Sequence, residues 1–390
     1  MIMNDFQIIL DKELQKEKAS KYPDHVLRVA EQVRKCRTNA MPGHLYSCPE
    51  DHFSIFLRNS CNNRSCPVCQ GAKRKEWKEM MEDMIVESPH YHLVFKLPSY
   101  CNVHILKRYK EFINILFESS LETIMKILKL SQYEQSTPGF VSVLHTHGEE
   151  NQLHPHVHIM MNSTGISKEE NKLISYNNQL FDIEKYQSLY LTIIKKKLLK
   201  LHNTYPEMGE IFLREVIRQQ TQEIFISKEY ASAKPLIEYL SKTIKGTSIQ
   251  LNRMELEEDD IVRYREKETE RKIPGEEFIR RYLLHILPPK LKSVRYFGYY
   301  SSSSRKKLVI VKQLNEEKES NIEKYDDPNE LLEKKDYELD RILIPYKICP
   351  VCQKAMILEE KVDAFGYPDK LSRKFGPDPP IEDLFRKLVA

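Results

Sequence analysis

His154-Pro155-His156-Val157-His158-Ile159-Met160-Met161 sets two histidines on either side of one apolar residue, in a run whose β-branched and apolar content reads as a strand. Side chains on a strand alternate faces, so His156 and His158 point one way while Val157 and Ile159 point into a core. Upstream, Phe140-Val141-Ser142-Val143-Leu144-His145-Thr146-His147 reads as a second strand. Gly148-Glu149-Glu150-Asn151-Gln152 is the turn that folds the two into an antiparallel hairpin. Pairing centred on that turn puts His145 opposite His156 and Val143 opposite His158, whereas a slip of one residue turns His145 away. A lone histidine is ordinarily a core or surface residue, but five fall within this one hairpin. His156 and His158 therefore read as a two-imidazole clamp for a divalent metal, with His145 as candidate third ligand. An open octahedral site for Mg or Mn fits that reading, although imidazole prefers later metals.

A second constellation lies nearer the N-terminus. Cys66-Pro67-Val68-Cys69 is a CxxC knuckle, the turn that lets two thiolates reach one tetrahedral zinc. Cys48 and Cys61 can complete that site, and Cys36, His44 and His52 are candidates for a second ion. The alternative is reduced buried cysteines or disulfides. The opening Met1-Ile2-Met3-Asn4-Asp5 leads into a charged stretch rather than a secretory signal, so a cytoplasmic chain with zinc is expected. Cys349-Pro350-Val351-Cys352 repeats the knuckle near the C-terminus with no histidine or cysteine after it. A closed site there needs ligands from elsewhere in the chain, from a partner subunit, or from a carboxylate such as Glu359; otherwise it is a reduced dithiol.

The 390 residues support two or three domains, and 61 Lys and Arg against 57 Asp and Glu leave the net charge uninformative about nucleic acid. Distribution says more. Arg64, Lys73 and Arg74 flank the first knuckle, Lys195-Lys196-Lys197 sits on an expected helix, and Arg305-Lys306-Lys307 follows a serine run. Such clusters beside aromatic residues suit phosphate tracking and base stacking, though solvated faces look the same. No apolar run approaches the ~20 residues of a membrane span. Strands at His90 to Leu97, in the hairpin and at Gln222 to Ser227 alternate with helices at about Val103 to Leu130 and Lys185 to His202. The expected fold is α+β, a central antiparallel sheet flanked by helices and preceded by a zinc-binding module. The expected domains are 1–88, 89–312 and 313–390.

A metal clamp acts on whatever nucleophile stands beside it. Pro235-Leu236-Ile237-Glu238-Tyr239-Leu240-Ser241-Lys242-Thr243-Ile244-Lys245-Gly246 has a proline start and a glycine stop. Leu236, Ile237, Leu240 and Ile244 make its buried stripe, leaving Tyr239 on the flank, where an ordinary packing tyrosine would also sit.

These residues together resemble the HUH-superfamily transposases of the IS ninety-one family of bacterial insertion sequences. The likeness runs in order through Cys36-Arg37-Thr38, Gly43-His44-Leu45-Tyr46-Ser47-Cys48, Asn59-Ser60-Cys61-Asn62-Asn63-Arg64-Ser65-Cys66-Pro67-Val68-Cys69-Gln70, His92-Leu93-Val94-Phe95-Lys96-Leu97-Pro98, His154-Pro155-His156-Val157-His158, Tyr239-Leu240-Ser241-Lys242 and Val294-Arg295-Tyr296-Phe297-Gly298-Tyr299. The resemblance implies a single-strand DNA endonuclease and ligase on an HUH-type sheet, with His156 and His158 as ligands of Mg or Mn. Tyr239 becomes the nucleophile and holds the 5′ phosphate as a phosphotyrosine during transposition. It further implies structural zinc and single-stranded DNA of the element ends and target as partner, contacted by Arg64, Lys73, Arg74, Lys242 and Arg295. A homodimer and nucleoid association are carried with it. Two departures stand out. Thr243 occupies the place of a second family tyrosine, which implies a single-tyrosine cycle, and Asp51 breaks the CxxC that begins at Cys48, so Asp51 or His52 becomes a candidate zinc ligand. A replication initiator or relaxase with the same chemistry, a zinc-dependent DNA-binding regulator without cleavage, and a metallohydrolase are the alternatives.

Overall fold

The computed structural model describes residues 3–16, 22–148, 152–169, 171–241, 251–266, 269–319 and 348–368. In chain order the elements begin with α1 (Asp5–Leu14), α2 (Asp24–Lys35), β1 (Gly43–Ser47), β2 (Ser54–Arg58), α3 (Gln70–Met84), β3 (His90–Lys96), α4 (Asn102–Ile105) and α5 (Tyr109–Lys129). They continue with β4 (Ser136–Thr137), β5 (Gly139–His147), β6 (Leu153–Asn162), β7 (Thr164–Ser167), β8 (Leu173–Ser175), α6 (Ile183–Thr204), α7 (Gly209–Arg218), β9 (Ile224–Ile226) and α8 (Lys234–Ser241). The remainder is β10 (Met254–Leu256), β11 (Ile261–Glu266), β12 (Thr269–Pro274), α9 (Gly275–Leu284), β13 (Val294–Gly298), α10 (Arg305–Glu319) and β14 (Ile357–Val362). The α+β class with antiparallel sheets flanked by helices is the expected one. Two compact units divide it: residues 1–71, 249–283 and 335–390 form one, and residues 72–248 and 284–334 the other. The units are discontinuous in sequence, because β14 pairs with β1 and α9 packs on α1.

In the first unit, Asn4 opens α1 with a capping box: its side chain accepts from Gln7 N at 3.0 Å, and Gln7 Oε1 accepts from Asn4 N at 3.3 Å. The same buried Gln7 turns its Nε2 toward the carbonyls of Val33, Arg34 and Cys36 at 3.1, 2.9 and 2.9 Å. One side chain thus starts α1 and ties down the exit of α2 at Cys36. Phe6 meets the Tyr282 ring edge-on at 5.0 Å, and the Tyr282 hydroxyl donates to Ser65 O at 3.0 Å, directly beside the CxxC knuckle. β1 and β2 form a hairpin that β14 extends in the order β14-β1-β2, and β10, β11 and β12 form a separate meander.

The second unit is built on a five-stranded antiparallel sheet in the order β13-β5-β6-β3-β9. Strand alternation sorts its residues cleanly. Leu93, Phe95, Phe140, Leu144, Val157, Ile159 and Met161 line one face, packed against Phe112, Leu116, Tyr186, Tyr190 and Ile194 of α5 and α6. Val141, Val143 and Met160 line the other with Leu236, Ile237 and Leu240 of α8 and Trp77 and Met81 of α3. Leu236, Ile237 and Leu240 of the stripe expected for α8 are therefore on its buried face, and Ile244 lies outside the described residues. The single amphipathic helix expected over Val103 to Leu130 is α4 and α5 broken between Leu106 and Arg108, and the charged stretch from Glu316 begins as the last turn of α10.

β13 ends where Gly298 takes a left-handed backbone with φ +62°, and a Cβ there would lie 1.6 Å from Pro138 O. Neither the strain nor the backbone clash can relax locally. Gly298→Ala should cost more than about 2 kcal/mol and lower the thermal midpoint of the full-length protein by several degrees, read by circular dichroism.

Candidate metal and nucleophile site

The β5 to β6 register places His145 directly opposite His156 and Val143 opposite His158. The pairing is thus the turn-centred one, although residues 149–151 of the turn lie outside the described residues. The ladder shifts between His145 and His147, so the bulge falls just beyond the imidazoles rather than among them. One ring nitrogen each from His145, His156 and His158 lies within 4.8 Å of the others. His145 and His158 have ring centroids 4.1 Å apart, and His145 and His156 5.4 Å apart.

All three imidazoles are held neutral. Burial pushes His156 down to about 4 and His145 and His158 well below the usual histidine range, with neighbouring imidazoles adding repulsion. A neutral imidazole offers a lone pair, which is what a cation requires. Two tautomers are constrained as well. His156 Nδ1 donates to the His154 carbonyl at 2.7 Å, which leaves Nε2 as its free lone pair. His158 Nδ1 is hydrogen-bonded to His92 Nε2 at 2.8 Å, while His158 Nε2, buried, has no hydrogen-bond partner among the described residues. A buried unpartnered ring nitrogen in a cluster of neutral imidazoles is a donor set that fits a divalent cation.

Tyr239 stands over this cluster. Its ring lies 5.6 Å from His158, 6.0 Å from His92 and 6.5 Å from His145, and half of the side chain (50 %) is exposed. The position follows from α8, whose buried residues lie on the sheet face that carries the histidines. A glutamate one residue earlier, Glu238, pairs with Lys78 of α3 at the surface. Among the described residues no other tyrosine ring meets these imidazoles. Lys242, Thr243 and Gly246 lie outside the described residues.

His92 and Phe225 complete the surroundings. His92 is buried on β3, stacks on His158 at 5.0 Å, and is pushed down to about 4 by burial. Phe225 on the edge strand β9 meets His92 edge-on at 5.8 Å and is 49 % exposed. The alternation of His90 to Lys96 puts His92, Val94 and Lys96 on one face, but only the pairing of β3 with β6 identifies that face as the one carrying His156 and His158.

The cysteines group differently from the expectation. Cys36, Cys61, Cys66 and Cys69 form one four-thiol cluster, and Cys48, His52, Cys349 and Cys352 another. Cys48 belongs with the C-terminal knuckle and Cys36 replaces it in the first site, because Gln7 anchors the Cys36 backbone beside the Cys61 turn. Cys61 and Cys69 sulfurs lie 3.8 Å apart, close to the tetrahedral edge of about 3.8 Å implied by zinc–sulfur bonds of about 2.3 Å. Hydrogen bonds from Cys36, Cys61 and Cys66 pull the Cys69 thiol far down, while Cys36, Cys61 and Cys69 push Cys66 up. His44 instead hydrogen-bonds Asn59 Oδ1 at 2.9 Å, Asp51 takes a left-handed turn with φ 55°, and Glu359 accepts from Ser47 Oγ.

The basic candidates divide too. Arg295 lies 4.0 Å over the Phe117 ring and donates to Asn114 at 2.7 Å, on the α5 side of the sheet and away from the histidines. Lys73 pairs with Glu76 at 3.3 Å, and burial lowers Arg74. Lys195 caps the end of α7 by donating to Ile217 O and Gln219 O at 2.9 and 2.8 Å.

Sequence comparison agrees with this pair of sites. Residues 7–97 match the family described as "Transposase zinc-binding domain", and residues 139–307, which include the histidine strands and Tyr239, match the family described as "Putative transposase". Among similar proteins, "Putative transposase y4qJ" of Sinorhizobium fredii is 26 % identical over 302 residues, 72 % of this chain and 76 % of that protein. "Transposase for insertion sequence element IS801" of Pseudomonas savastanoi pv. phaseolicola is 22 % identical over 276 residues, 66 % of this chain and just under two thirds (64 %) of the relative. No solved structure matches. A transposase zinc-binding domain followed by a transposase domain defines a DNA-processing protein. The chain carries both of these domains and is consistent with an IS91-type transposase. Among the described residues no helix is long and apolar enough to cross a membrane.

Burial of uncharged imidazoles carries a pH dependence. His90 and His92 titrate near 4 in the folded chain against 6.5 ordinarily, so between those values the unfolded chain binds more protons. The stability these groups contribute is complete above about 6.5 and is lost as pH falls toward 4, by about 1.4 kcal/mol per pH unit for each histidine. Urea midpoints of the full-length protein should drop steeply over that window, and a flat profile would exclude these buried neutral rings.

Proposed function

We propose that this transposase nicks and rejoins single-stranded DNA through Tyr239, with His145, His156 and His158 holding Mg or Mn, in a single-tyrosine cycle. The observation that carries this reading is the half-exposed Tyr239 ring standing 5.6 Å from His158, over three neutral imidazoles with ring nitrogens within 4.8 Å of one another. A cation bound there would neutralise charge on the scissile phosphate and polarise it. The Tyr239 oxygen forms a bond to phosphorus as the bond to the 3′ oxygen breaks, and the phenolic proton passes to the solvent that Tyr239 faces. The 5′ phosphate stays on the protein as a phosphotyrosine, and attack by another 3′ hydroxyl reverses the step without a nucleotide cofactor. Phe225, exposed beside His92, offers a stacking face to an unpaired base next to that phosphate, a contact that duplex DNA would not supply.

Within this scheme His92 is a positioning residue. With His158 Nε2 turned to the cation, His158 Nδ1–H donates to His92 Nε2, which sets both the tautomer and the ring orientation. His92→Leu should weaken Mn binding by roughly 10–100-fold, titrated by electron paramagnetic resonance without DNA, while His92→Gln keeps an acceptor and recovers most of it. Equal affinity in both variants and the parent would remove His92 from this role.

Tyr239→Phe removes one oxygen and little packing, so stability should change by no more than about 1 kcal/mol while the covalent protein–DNA adduct disappears. The assay is a denaturing gel of protein incubated with labelled single-stranded oligonucleotides from the element ends and Mn. His156→Ala and His158→Ala should abolish nicking with DNA binding retained. An adduct persisting in Tyr239→Phe would transfer the nucleophile to another residue, and unchanged nicking in both histidine variants would separate the cluster from the chemistry.

A further inference from the structure

The zinc-binding family match ends at residue 97, yet a C-terminal knuckle sits against it in the same compact unit. We propose that Cys48, His52, Cys349 and Cys352 form a second structural zinc site, built jointly by two segments 304 residues apart in sequence. The four ligand atoms lie within 4.8 Å of one another. Cys48 and Cys352 sulfurs are 3.5 Å apart, too far for a disulfide and near a tetrahedral edge, and Cys48 Sγ lies 3.7 Å from His52 Nδ1.

The two ligand turns are near copies. Cys48-Pro49-Glu50-Asp51-His52-Phe53 closes with Cys48 N donating to Phe53 O at 2.8 Å, and Cys349-Pro350-Val351-Cys352-Gln353-Lys354 closes with Cys349 N donating to Lys354 O at 2.8 Å. They differ in where the left-handed residue falls. In the C-terminal turn it is Gln353 with φ 59°, the fifth residue, and the second ligand is the fourth, Cys352. In the N-terminal turn it is Asp51 with φ 55°, the fourth residue, so the second ligand comes one position later at His52. That shift accounts for a CxxC broken at Asp51: the turn survives, and the longer imidazole reaches the centre from the displaced position.

Backbone amides point at two of the sulfurs. Glu50 N donates to Cys48 Sγ at 3.4 Å, and the backbone N–H groups of Cys352 and Val351 hydrogen-bond to Cys349. Below the site is a core of three buried residues, Cys48, Cys349 and Met356, with Tyr46, Phe53 and Ile55 partly buried around it. A core so small does not hold two strands together without a staple. The zinc would secure β14 against β1, joined antiparallel from Gly43↔Val362 to Ser47↔Ile357. The zinc module of this chain then extends past residue 97 and is complete only with its C-terminal strand.

The test is elemental analysis of full-length protein after gel filtration. The expected result is two zinc ions per chain, falling to one in Cys349→Ser/Cys352→Ser and remaining at two in His52→Cys. In His52→Cys the cobalt-substituted protein should gain thiolate-to-cobalt absorption. A double variant that keeps two ions, or a parent protein with one, would overturn the proposal. Because the double variant can fail to fold, native alkylation of the parent gives an independent reading. Cys349 and Cys352 should resist iodoacetamide until a chelator is added, as mapped by peptide mass spectrometry. Equal rates with and without chelator, or a Cys48–Cys352 disulfide, would count against the site as decisively.

Discussion

Everything at the candidate nucleophile site depends on the register between β5 and β6. Period-two alternation gives each strand residue one of two faces, so a single register choice sends His145, His156 and His158 to one face and Leu144, Val157 and Ile159 to the other. The apolar set enforces that choice. Shifting β6 by a residue would turn His156 and His158 toward α5 and α6 and take Val157 and Ile159 out of that core, at a cost far above that of any turn preference. Hydrophobic burial on the helix-covered face thus fixes the geometry of polar groups on the other. His92 follows the same logic from β3, which pairs with β6 such that Val94 lies opposite His158 and His92 sits diagonally beside it.

Crowding imidazoles is tolerable only when they are uncharged. Two protonated rings at 4 to 5 Å would repel strongly at low dielectric, and burial removes that charge before repulsion arises. The tyrosine has the opposite environment, half open to solvent on the flank of α8. The contrast separates two tasks: a dry, neutral donor set suits a cation, and an accessible phenol suits a strand that must enter and leave.

Local pattern made part of this legible from sequence. The hairpin, its turn-centred register, the stripe of α8 with Tyr239 on its flank, and the Cys66-Pro67-Val68-Cys69 knuckle all rest on spacings of a few residues, where alternation and helical periodicity act. Pairings between distant segments have no such signature. The order β13-β5-β6-β3-β9 decides that His92 touches His158 and that Arg295 faces Phe117 instead of the histidines, and nothing within either strand announces its neighbour. The exchange of Cys36 for Cys48 has the same origin: it depends on Gln7 reaching the end of α2 and on β14 joining β1, contacts that span the chain.

The cysteine clusters show why such long-range partners converge on ligands rather than on larger cores. The strands β1, β2 and β14 are five or six residues long with mostly half-buried or exposed patterns, and Leu45 is the fully buried member of β1. Three such strands bury too little apolar area to offset the entropy of bringing remote segments together. Four convergent donors supply by coordination what the core lacks, and only where the backbone turns already hold them. The left-handed residues Asp51 and Gln353 shape those turns, so the departure of this chain at Asp51 changes which residue stands at the ligand position without dismantling the knuckle.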